Sequence, residues 1–138
     1  MSKLILIPTP IGNLDDITLR AIECIKDADL ILCEDTRRSL KLMNHLQIKK
    51  PLKSFHKFNE HLTVEKIIFE IQSGIKVSLI SDAGTPSISD PGYLIVKMCI
   101  DSNIDVECLP GPTALIPALA VSGLPTDRFT FEGFLPVK

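Results

Sequence analysis

With 138 residues, the chain is long enough for one domain with a substantial hydrophobic core. Its formal net charge of −2, from 15 basic and 17 acidic residues, excludes a globally basic nucleic-acid binder but leaves room for a local basic surface. Apolar residues make up 45% of the chain and aromatic residues only 5%, so we expect Ile, Leu and Val to build the core.

Strand and helix patterns alternate along the chain. Apolar runs predict strands at Leu4–Ile7, Leu30–Cys33, Val77–Ile80 and Val106–Leu109, and Lys53–Phe55 is predicted as a short third strand in chain order. Helices are predicted between them: one capped by Asp15 or Asp16, one over Arg37–Leu46 capped by Thr36, one through Val64–Ile71 ending near Gly74, one with Pro91 in its first turn, and one from Pro112 or Thr113 to about Gly123. The pattern predicts the α/β class, as a three-layer αβα domain with a mostly parallel five-stranded sheet.

Three loops rich in proline and glycine follow predicted strands. They are PTPIGN (Pro8–Asn13), SDAGTPSISDPG (Ser81–Gly92) and PGPT (Pro110–Thr113), which hold six of the ten prolines and four of the seven glycines. Rigid loops at the carboxyl ends of parallel strands line one crevice, where ligands bind in such folds. They therefore predict a small-molecule site built largely from backbone groups.

Polar side chains at the same predicted edge are candidates for chemistry. Asp82 and Asp90 either contact a ligand or cap nearby backbone N–H groups. The run Glu34 to Arg37 follows the second strand, and His56, Asn59 and Glu60 form a second polar set with a candidate general base. The sequence contains no P-loop, HExxH motif, GxGxxG fingerprint or Ser-His-Asp order.

The segment from Arg37 to Lys57 is basic and contains no acidic residue. It carries Arg37, Arg38, Lys41, Lys49, Lys50, Lys53 and Lys57, together with His45 and His56. A solvated helix face would explain scattered lysines, and one of the two arginines could be an internal ion-pair partner of Glu34 or Asp35. The lack of acids over the whole segment favours a surface that binds a polyanion.

The cysteines and the N-terminus indicate a cellular compartment. Cys24, Cys33, Cys99 and Cys108 have no CxxC spacing and lie in apolar runs, which predicts reduced, buried thiols rather than disulfides or a metal site. The opening MSKLILIP is too short for a signal peptide, and no segment is long enough to span a membrane. We therefore expect a cytoplasmic protein with no membrane partner.

Several motifs together resemble one enzyme family. IPTPIGNLDDITLRA, CEDTR, HKFNE, SDAGTPSISDPG, LPGPTAL and SGLPTDRFTFEGFLP are similar, in order and over essentially the whole chain, to the ribosomal RNA small subunit methyltransferase I family. That family belongs to the tetrapyrrole-methylase-like class of S-adenosylmethionine enzymes. The resemblance implies 2′-O-ribose methylation of a cytidine in 16S rRNA near the decoding centre, by a cytoplasmic homodimer.

The resemblance also implies roles for particular residues. It places the cofactor against Pro10, Ile11, Gly12, Asp82, Ala83, Gly84, Thr85, Ile88, Thr113 and Ala114. For the methyl transfer that the resemblance implies, the catalytic base stays open among Glu34, Asp35, His56 and Glu60, and the predicted RNA contacts are Asn59 and the seven Lys and Arg residues of the basic segment. No metal is required.

Two further expectations concern the extent of the domain and the alternative functions. Residues 1–133 are expected to form the first domain of a two-domain enzyme, with 134–138 starting a linker, so we expect weak cofactor binding and no turnover from this chain alone. The alternatives are a tetrapyrrole or other small-molecule methylase of the same fold, and a non-catalytic S-adenosylmethionine-binding module.

Overall fold

Five short segments form the strands of one sheet in the computed structural model, which describes residues 2–136. The strands are β1 (Lys3–Ile7), β2 (Leu30–Cys33), β3 (Leu52–Ser54), β4 (Val77–Ile80) and β5 (Asp105–Cys108). The helices are α1 (Leu19–Asp27), α2 (Thr36–His45), α3 (Glu60–Gln72), α4 (Tyr93–Asp101) and α5 (Leu115–Ala120), and a 3₁₀ turn spans Leu14–Asp16.

The strand order is β3-β2-β4-β1-β5, and each of these neighbouring pairs is parallel. All five strands therefore end at the same edge, and every segment that leaves a strand begins there. The predicted α/β class and five-stranded sheet are confirmed, and the ladders are wholly parallel where the sequence predicted a mostly parallel sheet.

Alternate residues of the strands pack on opposite faces of the sheet. Leu6, Leu32 and Leu79 belong to the core beneath α3 and α4, whereas Ile7 and Ile80 belong to the core beneath α1 and α2. Both faces are covered, which explains why the central strands are apolar without polar alternation. The result is the predicted three-layer αβα arrangement.

Two of the predicted helix caps are wrong. Helix α1 is capped by Thr18, whose side chain accepts a hydrogen bond from the backbone N–H of Ala21, because Asp15 and Asp16 belong to the preceding 3₁₀ turn. Helix α2 is capped by Asp35 rather than Thr36, since the Asp35 carboxylate accepts from the backbone N–H of Arg37 at 2.9 Å.

The last two helices also begin later than predicted. Gly92, at φ +132°, precedes α4, so Pro91 lies outside the helix. Pro117 lacks a backbone N–H and fits only in a first helical turn, so α5 begins at Leu115 rather than at Thr113. The strands β3 and β5 each begin and end one residue before their predicted bounds.

The four cysteines are free, as predicted, but they are not all buried. Cys33 and Cys99 are buried, Cys24 is half-buried and Cys108 is exposed. Cys108 lies on β5, an edge strand with only one neighbour, so it is less covered than the central strands. Burial raises the pKa of the Cys99 thiol to about 11.

The chain after α5 is largely exposed, and no helix or strand is assigned from residue 121 to 136. Of the predicted linker 134–138, residues 137 and 138 lie outside the described residues. No helix within residues 2–136 has the length and apolar character that a membrane crossing requires.

Candidate functional site

The loops after β1 and β4 are joined directly at the carboxyl edge of the sheet. Thr9 and Gly84 exchange backbone hydrogen bonds of 3.0 and 2.9 Å, and the Thr9 hydroxyl donates to the carbonyl of Ser81 at 3.0 Å. The loop after β5 meets the first loop at Gly111, where a Cβ would lie 2.7 Å from Pro8 Cβ. The three loops therefore form one connected surface, as the strand-end argument predicted.

These loops enclose an open hollow of about 490 Å³, which we call the donor hollow. Its lining consists of Ile11, Ala83, Gly84, Thr85, Ile88, Asp90, Thr113, Ala114, Leu115 and Phe131. The structure thus brings together all the residues predicted to contact a cofactor except Pro10, Gly12 and Asp82.

Those three residues lie beside the donor hollow rather than in it. Pro10 and Asp82 line a smaller neighbouring hollow together with Arg38 and Lys41. Gly12 is exposed, with no side-chain or backbone atom within 4 Å of where its Cβ would stand. Asp82 lies outside the donor hollow because its carboxylate is bound by groups at the start of helix α2.

The Asp82 carboxylate holds the β4 loop to the start of α2. Its Oδ1 accepts a hydrogen bond from the backbone N–H of Asp35 at 3.2 Å, and its Oδ2 lies 3.4 Å from Arg38 Nη1. Asp82 is only partly exposed, so this arrangement orients the two loops relative to each other.

The backbone of the donor hollow divides into engaged and available groups. Gly84 uses its N–H and carbonyl to bind Thr9, and its carbonyl also accepts from the Ser81 hydroxyl at 2.8 Å. Within residues 2–136, the N–H groups of Ala83, Thr85 and Thr113 donate to no other group. A polar ligand in this hollow would find hydrogen-bond donors on both sides of Gly84.

A second hollow, of about 470 Å³, adjoins the first, and we call it the carboxylate hollow. It is lined by Glu34, Lys57, Glu60, Ser89, Asp90, Pro91, Gly92, Tyr93 and Phe134. Asp90 lines both hollows. Two of the four predicted catalytic residues, Glu34 and Glu60, therefore lie beside the predicted cofactor surface.

Two of the carboxyl groups here are poised to hold a proton more readily than ordinary acids. Burial raises the pKa of Glu34, and the negative charges of Asp82 and Asp90 raise it further, against the opposing effects of His56 and Arg38. Burial and the charge of Asp82 raise the pKa of Asp90 in the same way. Partly buried acids in a hollow with shifted pKa values are typical of functional sites.

The pKa of Asp35 shifts in the opposite direction, because Arg37 donates hydrogen bonds to its carboxylate. Arg37 donates from Nε and Nη2 to the two carboxylate oxygens at 3.1 and 2.9 Å, and its backbone N–H donates as well. These hydrogen bonds, the side-chain ones first, lower the pKa of Asp35 to about 2. Such a carboxylate is a weak base, which disfavours the predicted catalytic role of Asp35.

We expect this engaged carboxylate to make stability depend on pH. Because the folded-state pKa is depressed, its contribution is present above the ordinary value near 4 and is lost as pH falls towards 2. Asp35→Asn keeps a good helix cap but has no charge to lose. Urea unfolding midpoints at several pH values between 5 and 2 should therefore fall more steeply for the unaltered chain than for the variant. Parallel curves would contradict the assignment.

The HKFNE segment forms a compact turn before α3. The Asn59 side chain accepts from the backbone N–H of His56 at 2.8 Å and donates to the carbonyl of Ser54 at 3.0 Å. His56 Nδ1 accepts from the backbone N–H of Phe58 at 3.2 Å. The turn thus engages the Asn59 amide, which was predicted to contact RNA, and one ring nitrogen of His56.

The basic segment is partly neutralised in the fold. Arg37 pairs with Asp35, Arg38 with Asp82, and Lys53 with Glu70 at 3.8 Å. Both arginines are thus ion-pair partners, where the sequence allowed for one. Across residues 2–136, no salt bridge involves the remaining lysines of the segment, which are Lys41, Lys49, Lys50 and Lys57.

Sequence reasoning missed part of the carboxylate hollow. Tyr93 and Phe134 were not among its candidates, and Asp90 was considered only as a ligand contact or a cap. The sequence offered one signal for Tyr93: it is the sole tyrosine of the chain and directly follows the Ser81–Gly92 loop. No group of His, Cys, Asp and Glu side chains within residues 2–136 is arranged to hold a metal ion.

Comparison with known proteins identifies close relatives. The chain is 52% identical over 136 residues to "Ribosomal RNA small subunit methyltransferase I" of Thermotoga maritima, an alignment that covers 99% of this chain and 61% of that protein. It is 49% identical to the protein of the same name from Escherichia coli O157:H7, covering 99% of this chain and 48% of that one. The chain therefore spans about half to three fifths of the length of these relatives.

The fold and the sequence profile agree with this similarity. The crystal structure of uroporphyrin-III-C-methyltransferase from Thermus thermophilus is similar with a TM-score of 0.66 at 22% identity, over 93% of this chain and 55% of that one. This likeness shows a shared fold. The profile of the family described as Tetrapyrrole (Corrin/Porphyrin) Methylases matches residues 3–135. Because that match covers nearly the whole chain, the protein belongs to the tetrapyrrole methylase family.

Proposed function

We propose that this chain is the N-terminal part of an enzyme that transfers a methyl group from S-adenosylmethionine to the ribose 2′-hydroxyl of a cytidine in 16S rRNA, near the decoding centre. The names of its relatives support rRNA as the substrate and methyl transfer as the reaction. The structural observation that carries the proposal is the direct contact of the donor hollow with the carboxylate hollow through Asp90.

The donor hollow fits the cofactor by the chemistry of its lining. Ala83, Thr85 and Thr113 offer backbone N–H donors, and Ile11 and Ile88 offer apolar surface. S-adenosylmethionine supplies a methyl group on a sulfonium, which is already a good leaving group. The task left to the chain is to align the acceptor and to remove its proton.

Glu34 is the best-placed residue to assist that proton transfer. A ribose hydroxyl is a weak acid, so a base with a raised pKa serves better than an ordinary carboxylate. Glu34 combines a raised pKa with a position in the carboxylate hollow, whereas the pKa of Asp35 is lowered to about 2. Glu60 shares the hollow and is the second candidate, while His56 is absent from its lining.

We expect Glu34→Gln to reduce the rate of methyl transfer by about 10²-fold or more, because general bases typically contribute that much. The assay uses the protein extended to the length of its relatives, labelled S-adenosylmethionine and isolated small ribosomal subunits. The unaltered enzyme should lose kcat/KM as pH falls through the raised pKa of Glu34, and the variant should lack that dependence. Asp35→Asn is the control and should retain most activity; equal losses in the two variants would contradict the role of Glu34.

The same assay decides between the proposed function and its rivals. Free 16S rRNA, assembled small subunits and a tetrapyrrole acceptor are compared as methyl acceptors. A tetrapyrrole methylase is supported by the description of the family and the name of the structural relative. Lys41 and Lys57 line hollows at the carboxyl edge and make no salt bridge within residues 2–136, which favours RNA instead. Methylation of the tetrapyrrole alone, or of no acceptor, would overturn the proposal in favour of a small-molecule methylase or a binding module.

We further propose that the cofactor cleft is completed by a second domain outside residues 1–138, in a cytoplasmic homodimer. The length of the relatives supports additional structure in those proteins. Calorimetric titration should accordingly show weak or absent S-adenosylmethionine binding to the 138-residue chain and clear binding to the longer protein. Light scattering of the longer protein tests the dimer.

A further inference from the structure

The carboxylate hollow contains aromatic rings that the fold leaves uncovered. Tyr93, at the start of α4, is 71% exposed, and Phe134 is 87% exposed. Both line the hollow, beside Pro91 and Gly92. Flat apolar surfaces that face a cavity are suited to a planar ligand, since aromatic side chains stack on bases irrespective of base identity.

The polar groups of the same hollow are mostly hydrogen-bond acceptors. Glu34, Glu60 and Asp90 contribute carboxyl groups, and Lys57 contributes the only cation in the lining. One oxygen of Glu60, Oε2, is buried and has no hydrogen-bond partner among the described residues. A buried acceptor without a partner is costly unless a ligand supplies a donor, so the hollow is complementary to a ligand that carries N–H or O–H groups.

The carboxylate hollow lies next to the donor hollow. Asp90 lines both, and the loop from Ser87 to Gly92 forms the wall between them. Ser87 and Ser89 adopt positive φ angles of 70° and 55°, and Gly92 adopts 132°. Non-glycine residues with positive φ are concentrated at functional sites, where the surrounding structure holds the strained backbone.

We propose that the carboxylate hollow binds the base and ribose of the acceptor nucleoside, turned out of its RNA strand, with the base against Tyr93 and its amino group facing the carboxylates. This assignment deepens the function proposed above and rests on it. Enzymes that act on a base turn its nucleotide out of the strand into a pocket, and the same movement would bring the base into this hollow. RNA-binding proteins commonly stack such bases on aromatic rings.

The hollow favours a base with an amino group. Carboxylates only accept hydrogen bonds, and the N4 amino group of cytosine is the donor that Glu and Asp recognise. Uracil presents a carbonyl oxygen in that place, which a carboxylate repels. Glu60, with its unpartnered oxygen, is the residue assigned to this recognition, and Glu34 remains the group proposed to take the proton of the ribose hydroxyl.

Substitution of Tyr93 tests the stacking, and the chain offers a matched control. Phe69, on α3, is 70% exposed but lies outside the lining of the hollow. In the protein extended to the length of its relatives, Tyr93→Ala should raise the KM for RNA about tenfold or more, on the scale of lost base stacking. Phe69→Ala should leave it unchanged, Tyr93→Phe, which keeps the ring, should recover most of the loss, and none of the three should alter the affinity for S-adenosylmethionine.

Substitution of Glu60 tests the recognition of the amino group. Transcripts that carry cytidine or uridine at the methylated position are compared as substrates. Glu60→Gln, whose amide both donates and accepts, should reduce the preference for cytidine by about tenfold, the scale of a lost base contact. An unchanged preference, or an equal rise of KM in Tyr93→Ala and Phe69→Ala, would overturn the assignment.

A direct binding measurement separates this inference from the proposed function. The 138-residue chain contains one tyrosine and no tryptophan, so its tyrosine emission reports on Tyr93 alone. Short single-stranded RNA containing cytidine should quench this emission, after correction for absorption by the RNA, and Glu60→Gln should weaken the effect. Unquenched emission would overturn the assignment. Failure of the unaltered longer protein to methylate RNA would overturn the proposed function instead.

Discussion

Phe55→Ala should lower the free energy of unfolding by about 3–5 kcal/mol, the scale measured for removal of a large aromatic ring from a core. Phe55 is 0% exposed and packs in the core cluster that contains Leu32, Ile67 and Ile71. A loss of this size is a large part of the total stability of an ordinary domain. Urea unfolding followed by circular dichroism measures it, and we expect the melting temperature to fall by roughly 10 °C or more.

Phe58 provides the matched control for this substitution. It stands three residues later and is 89% exposed, so Phe58→Ala removes the same side chain with almost no loss of buried area. Its effect should lie within about 0.5 kcal/mol of zero. Similar losses in the two variants would contradict the position assigned to the HKFNE turn.

Gly92→Ala should lower the free energy of unfolding by about 3 kcal/mol and distort the carboxylate hollow. Gly92 adopts φ +132°, which costs an L-residue about 1–3 kcal/mol. A Cβ there would also stand 2.9 Å from Leu79 Cδ2 and would overlap the hydroxyl of Ser87, adding a cost of about 1–3 kcal/mol for overpacking. Chemical denaturation gives the stability, and methyl-transfer assays of the longer protein give the effect on activity.

Substitutions at two other glycines separate the cost of backbone strain at Gly92 from the cost of steric overlap there. Gly74 has a positive φ of 95° but no atom within 4 Å of the place that a Cβ would occupy, so Gly74→Ala should show the strain alone, at about 1 kcal/mol. Gly12 has neither feature, so Gly12→Ala should leave stability nearly unchanged. Equal effects at all three positions would show that the wall formed by Gly92 is not tightly packed.

The architecture was accessible from the sequence because its physical causes are local. Strands covered on both faces need unbroken apolar runs, and the runs at β1, β2 and β4 contain little else. The loops that follow these strands are indicated by their many proline and glycine residues. Parallel pairing then places these loops at one edge of the sheet. The position of the donor hollow could therefore be predicted without knowing how the side chains pack.

The individual roles of charged residues were not accessible in this way. The sequence allowed one arginine to pair with Glu34 or Asp35, and only the geometry of the α2 cap shows that Arg37 binds Asp35. Asp82 is likewise engaged by a residue far away in sequence, Arg38. The expectation that Ile, Leu and Val build the core also left out Phe55, although Phe55 ends a predicted strand and the exposed Phe58 does not.

The single segment between β4 and α4 has a consequence for how this fold could change its substrate. Residues 83–85 and 88 line the donor hollow, residues 89 and 91–93 line the carboxylate hollow, and Asp90 lines both. An insertion or deletion inside this segment would disturb both hollows together, whereas exchanges at Glu34, Lys57 and Glu60 would alter the carboxylate hollow only. Divergence towards new acceptors should therefore proceed through the neighbouring strand ends, with the length of this connector held fixed.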